Sequence, residues 1–406
     1  MSSRRSLRPI ERQPVDRGRP FHALREPQGS RRSASTPSAP HGGWRGGGPL
    51  GAPIIAALLL VVALIATATL GSLGSGGADA SPGSSPEVLV GTEIEGTLAF
   101  GRAGSIFGVS GAELRGLTAG STDREIAWGD GGRWLYFVRH RDEDGGVRTA
   151  SGGIQKYRLV IPTLIRVGVL GGSEEQLLDG LIPGAQPTLN WSAFIFDPAP
   201  APDGRIALAT DLKDGLAGRA VVIRLLSGSS IVTPDLPVQI PYGHQDPAWS
   251  PDGTMLYYVQ NGIASDGSAS RLIRYDLASK SVARLGERGL IEPAPSPDGR
   301  WIAATRITAK GSDVVILDAA TGQVALEVTR GGRSWSPAWS PDGSRLAFLA
   351  PRESDAALQV ATLQRSSTGL LSVLSIASIL RDPVDADVRP AWGALGPTTS
   401  GASPSP

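Results

Sequence analysis

From about residue 95 onward the chain is written in short apolar runs of four to six residues, bounded by Gly, Pro, Asp and Ser. Runs of this length predict strands, half-buried where apolar and polar positions alternate, and the punctuation between them predicts turns. Residues 246–285 give the clearest parse. An extended PAWS run is followed by Pro251-Asp252-Gly253, in which Pro presets φ, Asp bonds nearby amides and Gly accepts positive φ. An apolar strand at 255–259, a polar loop at 260–270, an alternating strand at 271–276 (RLIRYD) and a last strand at 282–285 complete the unit. The same parse predicts strands near 301–305, 313–317 and 323–328, and works again over 345–376. One apolar run breaks the pattern: 50–73 holds 24 residues and no charge.

The unit repeats. DPAWSPDG at 246–253 returns as EPAPSPDG at 292–299, SPAWSPDG at 336–343 and DPAPAPDG at 197–204, with a worn copy, EIAWGDGG, at 125–132 and a truncated one, RPAWGALG, at 389–396. The marker residues Asp203, Asp252, Asp298 and Asp342 stand 49, 46 and 44 apart. Four short antiparallel strands at that period make the blade of a propeller. Units beginning at Leu98, Leu135, Ile206, Leu256, Ile302 and Leu346 predict six blades. Residues 96–100 match what normally follows the turn motif, and 390–393 match what precedes it. The C-terminus is therefore expected to supply the innermost strand of the blade whose outer three strands come from 96–118, which leaves the ring no free edge. The Trp or Pro after the recurrent Ala (Trp128, Pro200, Trp249, Pro295, Trp339, Trp392) is expected to wedge between blades.

WSPDG followed by an apolar-Ala-aromatic strand resembles the WD40-like Pro-Asp repeat of the TolB-type six-bladed propellers, over about residues 95–396. The resemblance implies an all-β six-bladed propeller. Propellers of this kind serve as protein-binding modules and as gating or substrate-binding domains of peptidases. The chain departs from TolB in leaving no room for a small α/β domain before the ring, and no hydrolase domain follows it.

Charge divides the chain. Residues 1–49 carry ten Arg against Glu11, Asp16 and Glu26, a net +7, so the remainder is −6 of an overall +1. That balance argues against nucleic acid as a partner. The domain plan is a disordered Arg/Pro/Ser/Gly-rich tail at 1–49, a transmembrane helix at 50–73, a flexible linker at 74–94, the propeller at 95–396 and a disordered tail at 397–406. No Lys or Arg follows the apolar run until Arg102, so the positive-inside rule puts the N-terminus in the cytoplasm and the propeller outside. Ala78-Asp79-Ala80 has the form of a signal cleavage site, and a secreted form cut after Ala80 is the competing reading. The run exceeds a signal core in length, so the expected location is the membrane, with a single-pass anchor.

Zero Cys excludes disulfides, thiolate metal sites and a thiol nucleophile. The propeller region has His140 and His244 alone and no G-x-S-x-G, H-E-x-x-H, P-loop or dinucleotide fingerprint. Asp142-Glu143-Asp144-Gly145-Gly146 resembles a calcium loop in composition but lacks the bidentate Glu of an EF-hand, and reads as a solvated turn. No catalytic residue, cofactor or metal is implied. Second-to-third connections (139–154, 211–218, 260–270, 306–311, 351–356) look long and charged, and fourth-to-first connections open on the same face. The ligand-binding candidates on that face are Arg139, His140, Asp142, Asp211, His244, Asp246, Asp266 and Arg306. An insertion of roughly 25 residues over the blade period falls within 139–196. The expected function is a membrane-tethered propeller that binds an extracytoplasmic protein, peptide or envelope polymer. The alternative is a lactonase-like or glycan-cleaving propeller with a metal at the central channel.

Overall fold

The computed structural model describes residues 88–89, 94–149, 151–169, 171–184, 189–213, 216–237, 243–262, 269–353 and 355–394. The tail at 1–49, the apolar run at 50–73, most of the linker, the tail at 397–406 and Asp266 lie outside the described residues. Among the described residues no helix is long and apolar enough to cross a membrane.

Six four-stranded antiparallel sheets follow one another as the blades of a propeller. Blade 1 takes Ala391–Gly393 as its innermost strand, then Ile94–Arg102, Ser105–Gly111 and Glu113–Gly116. Blade 2 runs from Asp123–Gly129 through Trp134–Arg148 and Ile154–Gly168 to Glu175–Asp179. The innermost strands of blades 3 to 6 are Ile195–Pro200, His244–Trp249, Leu290–Pro295 and Trp335–Trp339. The second strands are continuous apolar runs because both faces of each blade are covered by a neighbour: Tyr257, Tyr258 and Val259 are all buried, as are Ala303 and Ala304.

The recurrent tripeptide turn is a structural device. Ser250 donates its hydroxyl to Asp252 Oδ1 at 2.6 Å and accepts the Met255 amide at 2.9 Å, while the Gly253 amide closes on the Ser250 carbonyl. Ser296 with Asp298 and Ser340 with Asp342 repeat the arrangement at the same 2.6 Å. Gly253, Gly299 and Gly343 take φ of 69°, 69° and 70°, where a side chain would be strained.

The Trp column wedges between blades, as its period predicts. The indole N–H of Trp128 donates to the Ala391 carbonyl at 3.1 Å, joining blade 2 to blade 1. Trp249 reaches Ala199 and Trp339 reaches Ala294, both at 2.9 Å, joining blade 4 to 3 and blade 6 to 5. Trp392 turns instead to Glu95 of its own blade, at 2.7 Å.

Closure follows the sequence expectation: Thr97 pairs with Gly393, Leu98 with Trp392 and Ala99 with Ala391. The return segment before this strand is clamped to blade 1. Asp385 accepts the amides of Ala103 and Gly104 at 2.9 and 3.0 Å, and Arg102 pairs with Asp382 at 2.8 Å. Val388 fills the space over Gly101, where an added Cβ would lie 2.5 Å from it.

Blade 2 corrects one expectation. Residues 139–154 form no loop; Trp134–Arg148 and Ile154–Gly168 pair along their whole length, from Trp134 with Gly168 to Arg148 with Ile154. The polarity of this stretch belongs to a projecting ribbon whose charges pair sideways, Arg158 with Asp142 and Arg141 with Asp179. The rest of the insertion makes a small hairpin of Leu181–Ile182 and Trp191–Ser192.

Truncation after Asp387 removes the closing strand and bares two sheet edges. The shortened chain is expected to lose its single cooperative unfolding transition, read by tryptophan fluorescence against denaturant. A transition as sharp as that of the full chain would refute closure as the source of cooperativity.

Candidate functional site

One position of the repeat, two residues before the recurrent Ala, meets at the ring axis. Its occupants are Glu125, Asp197, Asp246, Glu292, Ser336 and Arg389 in blades 2, 3, 4, 5, 6 and 1. The first five have φ of 57°, 52°, 54°, 53° and 56°, in the left-handed region that disfavours side chains. Each sits where the strand register slips by a bulge. Such backbone costs of order 1–3 kcal/mol per residue unless its surroundings hold it.

What holds it is a relay of carboxylates. Glu125 Oε2 accepts the Asp197 amide at 3.3 Å, Asp197 Oδ2 the Asp246 amide at 3.1 Å, Asp246 Oδ2 the Glu292 amide at 2.9 Å, and Glu292 Oε2 the Ser336 amide at 2.8 Å. The bulge turns each amide toward the preceding blade, and the carboxylate there takes it. Ser336 is too short to continue the relay; its hydroxyl donates back to Glu292 Oε1 at 3.0 Å.

Arg389 completes the set from blade 1. Its guanidinium crosses the channel, donating through Nη2 to Asp246 Oδ1 and lying 3.3 Å from both Asp197 Oδ1 and Glu292 Oε1. The side chains of Asp246, Glu292 and Asp197 are 1%, 7% and 10% exposed, and that of Arg389 is 33% exposed. Burial raises the Asp197 carboxyl well above its ordinary value, outweighing the lowering by Arg389, and Glu125 and Asp246 raise it further. Arg389 shifts upward, because the attraction of Asp197, Asp246, Glu292 and Glu125 overcomes its own burial.

Above this floor lies a funnel of about 730 Å³. Its wall is built from the innermost strands, including Trp128, Trp249, Trp339 and Trp392, and its rim includes Pro202, Pro251 and Pro297 of the first turns. Ser250, Ser296 and Ser340 direct their amides outward to the second strand. By alternation the residue before each faces its nitrogen inward, and Pro295 and its blade 3 counterpart Pro200 have no proton there. Pro198, Pro247, Pro337 and Pro390 remove further donors from the lining. Two of the six blades therefore present no amide proton at that place.

The funnel opens on the face of the Pro-Asp-Gly turns, opposite to the face expected from loop length. The sequence candidates fall differently as well. Arg139 lies within a strand, bidentate on Asp123 at 2.6 and 2.9 Å and bonded to Glu174. His140 lies on the same strand, its imidazole lowered by burial and by Arg124. Asp142 pairs with Arg158 on the ribbon. Asp211 is a strand residue accepting the Phe194 amide at 2.8 Å, and burial raises its carboxyl. Arg306 also lies in a strand, paired with Glu327 at 2.7 Å. His244 is fully buried, its Nε2 donating to the Pro237 carbonyl at 2.8 Å, and burial lowers it to about 4. Of the candidates among the described residues, Asp246 alone belongs to the axial group.

The charged residues in connections were read as loop residues because hairpin pairing runs past the apolar core. Glu125, Asp197, Glu292 and Arg389 escaped notice although they share one column of the repeat with Asp246. Four acids and one Arg in a single column were the signal.

No family model matches the chain, and no curated protein matches it. Among solved structures it is similar to TolB from Acinetobacter baumannii, at 18% identity and a TM-score of 0.49 over 74% of this chain and 67% of that one. It is similar to a chain of the nidogen/laminin complex, at 10% and 0.47 over 74% and 99%. It is also similar to oligogalacturonate lyase from Vibrio parahaemolyticus, at 12% and 0.40 over 65% and 73%. Nothing about ligand or reaction transfers at these levels.

Replacing Arg389 with Met strands buried carboxylates without a counter-charge, an expected loss of about 3–5 kcal/mol at neutral pH. The Asp197 carboxyl, already raised by burial, then lacks the lowering by Arg389, so the fold takes up a proton there and the deficit shrinks as pH falls toward 4.5. Denaturant titrations at pH 7.5 and 4.5 measure both effects. In the intact protein the raised Asp197 gives stability present below its unfolded pKa and lost as pH rises through its folded one. Asp197→Asn keeps the amide acceptor and removes that loss, so its stability relative to wild type is expected to rise with pH.

Proposed function

We propose that this protein is a membrane-tethered, extracytoplasmic propeller that binds a segment of a protein, peptide or envelope polymer in its central funnel and performs no chemistry itself. The observation that carries the reading is the floor: Arg389 closes the channel through Asp246, Asp197 and Glu292, turning a ring into a blind, Trp- and Pro-lined cup. A rigid concave wall of aromatic and Pro surface with few directed polar groups suits recognition. The tether rests on charge: ten Arg precede the apolar run of 50–73 and none follows until Arg102.

A metal-dependent hydrolase or lyase would use the centre of the channel. That place is filled by the Arg389 guanidinium, and among the described residues no three Asp, Glu or His side chains are grouped to hold a metal ion. Binding accounts for the geometry with fewer parts.

A photo-crosslinking residue placed at Pro202 or Pro297, both exposed on the funnel rim, is expected to give discrete adducts in cells expressing the full chain. The same residue at the exposed positions Lys310 and Arg158, away from the funnel, serves as the control. Adducts from Lys310 or Arg158 with none from the rim would place the binding face elsewhere.

A further inference from the structure

The relay around the axis is unevenly satisfied. Glu292 accepts the Ser336 amide and hydroxyl and the Thr305 hydroxyl, and pairs with Arg389. Asp246 accepts the Glu292 amide and the Gln245 side-chain amide, and receives Arg389. Asp197 has the Asp246 amide and the 3.3 Å ion pair with Arg389. Among the described residues Glu125 has the Asp197 amide alone, at 3.3 Å. The two carboxylates with spare acceptor capacity are the two that line the funnel, and Asp197 is itself nine-tenths buried. Around them Pro198, Pro200, Pro247, Pro295, Pro337 and Pro390 of the wall offer no amide proton.

We infer that the funnel takes a cationic nitrogen, the ammonium or guanidinium of a Lys or Arg side chain on an extended partner segment, and seats it between Glu125 and Asp197. This rests on the funnel being the binding site. Four acids face one Arg at the axis, so a cation is drawn in and a carboxylate is repelled. Arg389 does not serve an anionic ligand, because its guanidinium is already committed to Asp246, Asp197 and Glu292. The donors of a guanidinium match the open acceptor positions of Glu125 and Asp197. The groups facing Asp197 are Glu125 on blade 2, Asp246 on blade 4 and Arg389 on blade 1, and burial with the two acids raises its carboxyl well above the ordinary value. A second cation arriving beside it favours the ionised carboxylate, so binding is tighter at higher pH.

The probe is acetyl-Gly-Arg-Gly-amide, titrated calorimetrically into the full-length chain beside the same peptide carrying citrulline, which keeps the shape and lacks the charge. The Arg peptide is expected to bind at least tenfold more tightly than the citrulline peptide, to weaken with added salt, and to release protons when buffers of different ionisation heat are compared. Glu125→Gln is expected to lower affinity for the Arg peptide at least tenfold while melting within a few degrees of wild type, since Gln still accepts the Asp197 amide. Should that variant fail to fold, the citrulline comparison and the salt dependence carry the test on the native chain. Equal binding of the Arg and citrulline peptides, or no binding of either, overturns the cation site. If rim crosslinks still form in that case, the funnel remains the binding face and only its preference for a cation is lost.

Discussion

The ring hangs on one guanidinium. The closing strand of blade 1 is only Ala391–Gly393, three residues paired with Thr97, Leu98 and Ala99. A strand that short offers few ladder bonds to hold a six-bladed ring against fraying. Arg389, immediately before it, reaches across the axis to Asp246 in blade 4, the blade diametrically opposite, and touches blades 3 and 5 on either side. The relay from Glu125 to Ser336 ties blades 2 through 6 in series, and Arg389 is the member that brings blade 1 into it.

A buried cluster of this kind is not obviously a source of net stability, because each desolvated charge costs several kcal/mol that its partners must offset. Its stronger effect is on choice among arrangements. Every blade carries nearly the same strands, so the C-terminal strand meets similar edges wherever it docks. Only one placement puts the single Arg of the column against three carboxylates. The strained left-handed backbone at Asp197, Asp246, Glu292 and Ser336 serves the same end, turning amides into the channel where an acid from the preceding blade accepts them. The funnel inherits its character from that solution: the floor is acidic where the relay is least complete, and the wall is lined by Trp and Pro.

Architecture was legible because it is repeated. The Ser-Pro-Asp-Gly turn recurs with one hydrogen-bond scheme, and the match of residues 96–100 to 390–393 located closure without any three-dimensional information. The site was less legible, for two physical reasons. Loop length depends on where hairpin pairing stops, and charged residues such as Arg139, Asp142 and Arg306 extend strands when a cross-strand partner neutralises them. The axial group, by contrast, is spread over 265 residues, from Glu125 to Arg389, and becomes a cluster only when the ring closes. Asp246 enters the sequence candidates through its place beside a fourth-to-first connection. Its partners occupy the same column in less regular copies, and a column read down the repeat would have found them.

The alternation of Trp and Pro in the wedge column gives the ring a lower symmetry than its blade count. Indole bonds close the junctions between blades 1 and 2, 3 and 4, and 5 and 6. Pro200 and Pro295 head the intervening junctions, and Trp392, at the third such place, turns its indole to its own blade. Two kinds of junction therefore alternate, and the element that truly recurs is a pair of blades, three times around. Inserting or deleting a single blade would set two junctions of the same kind side by side, whereas adding or losing two preserves the order.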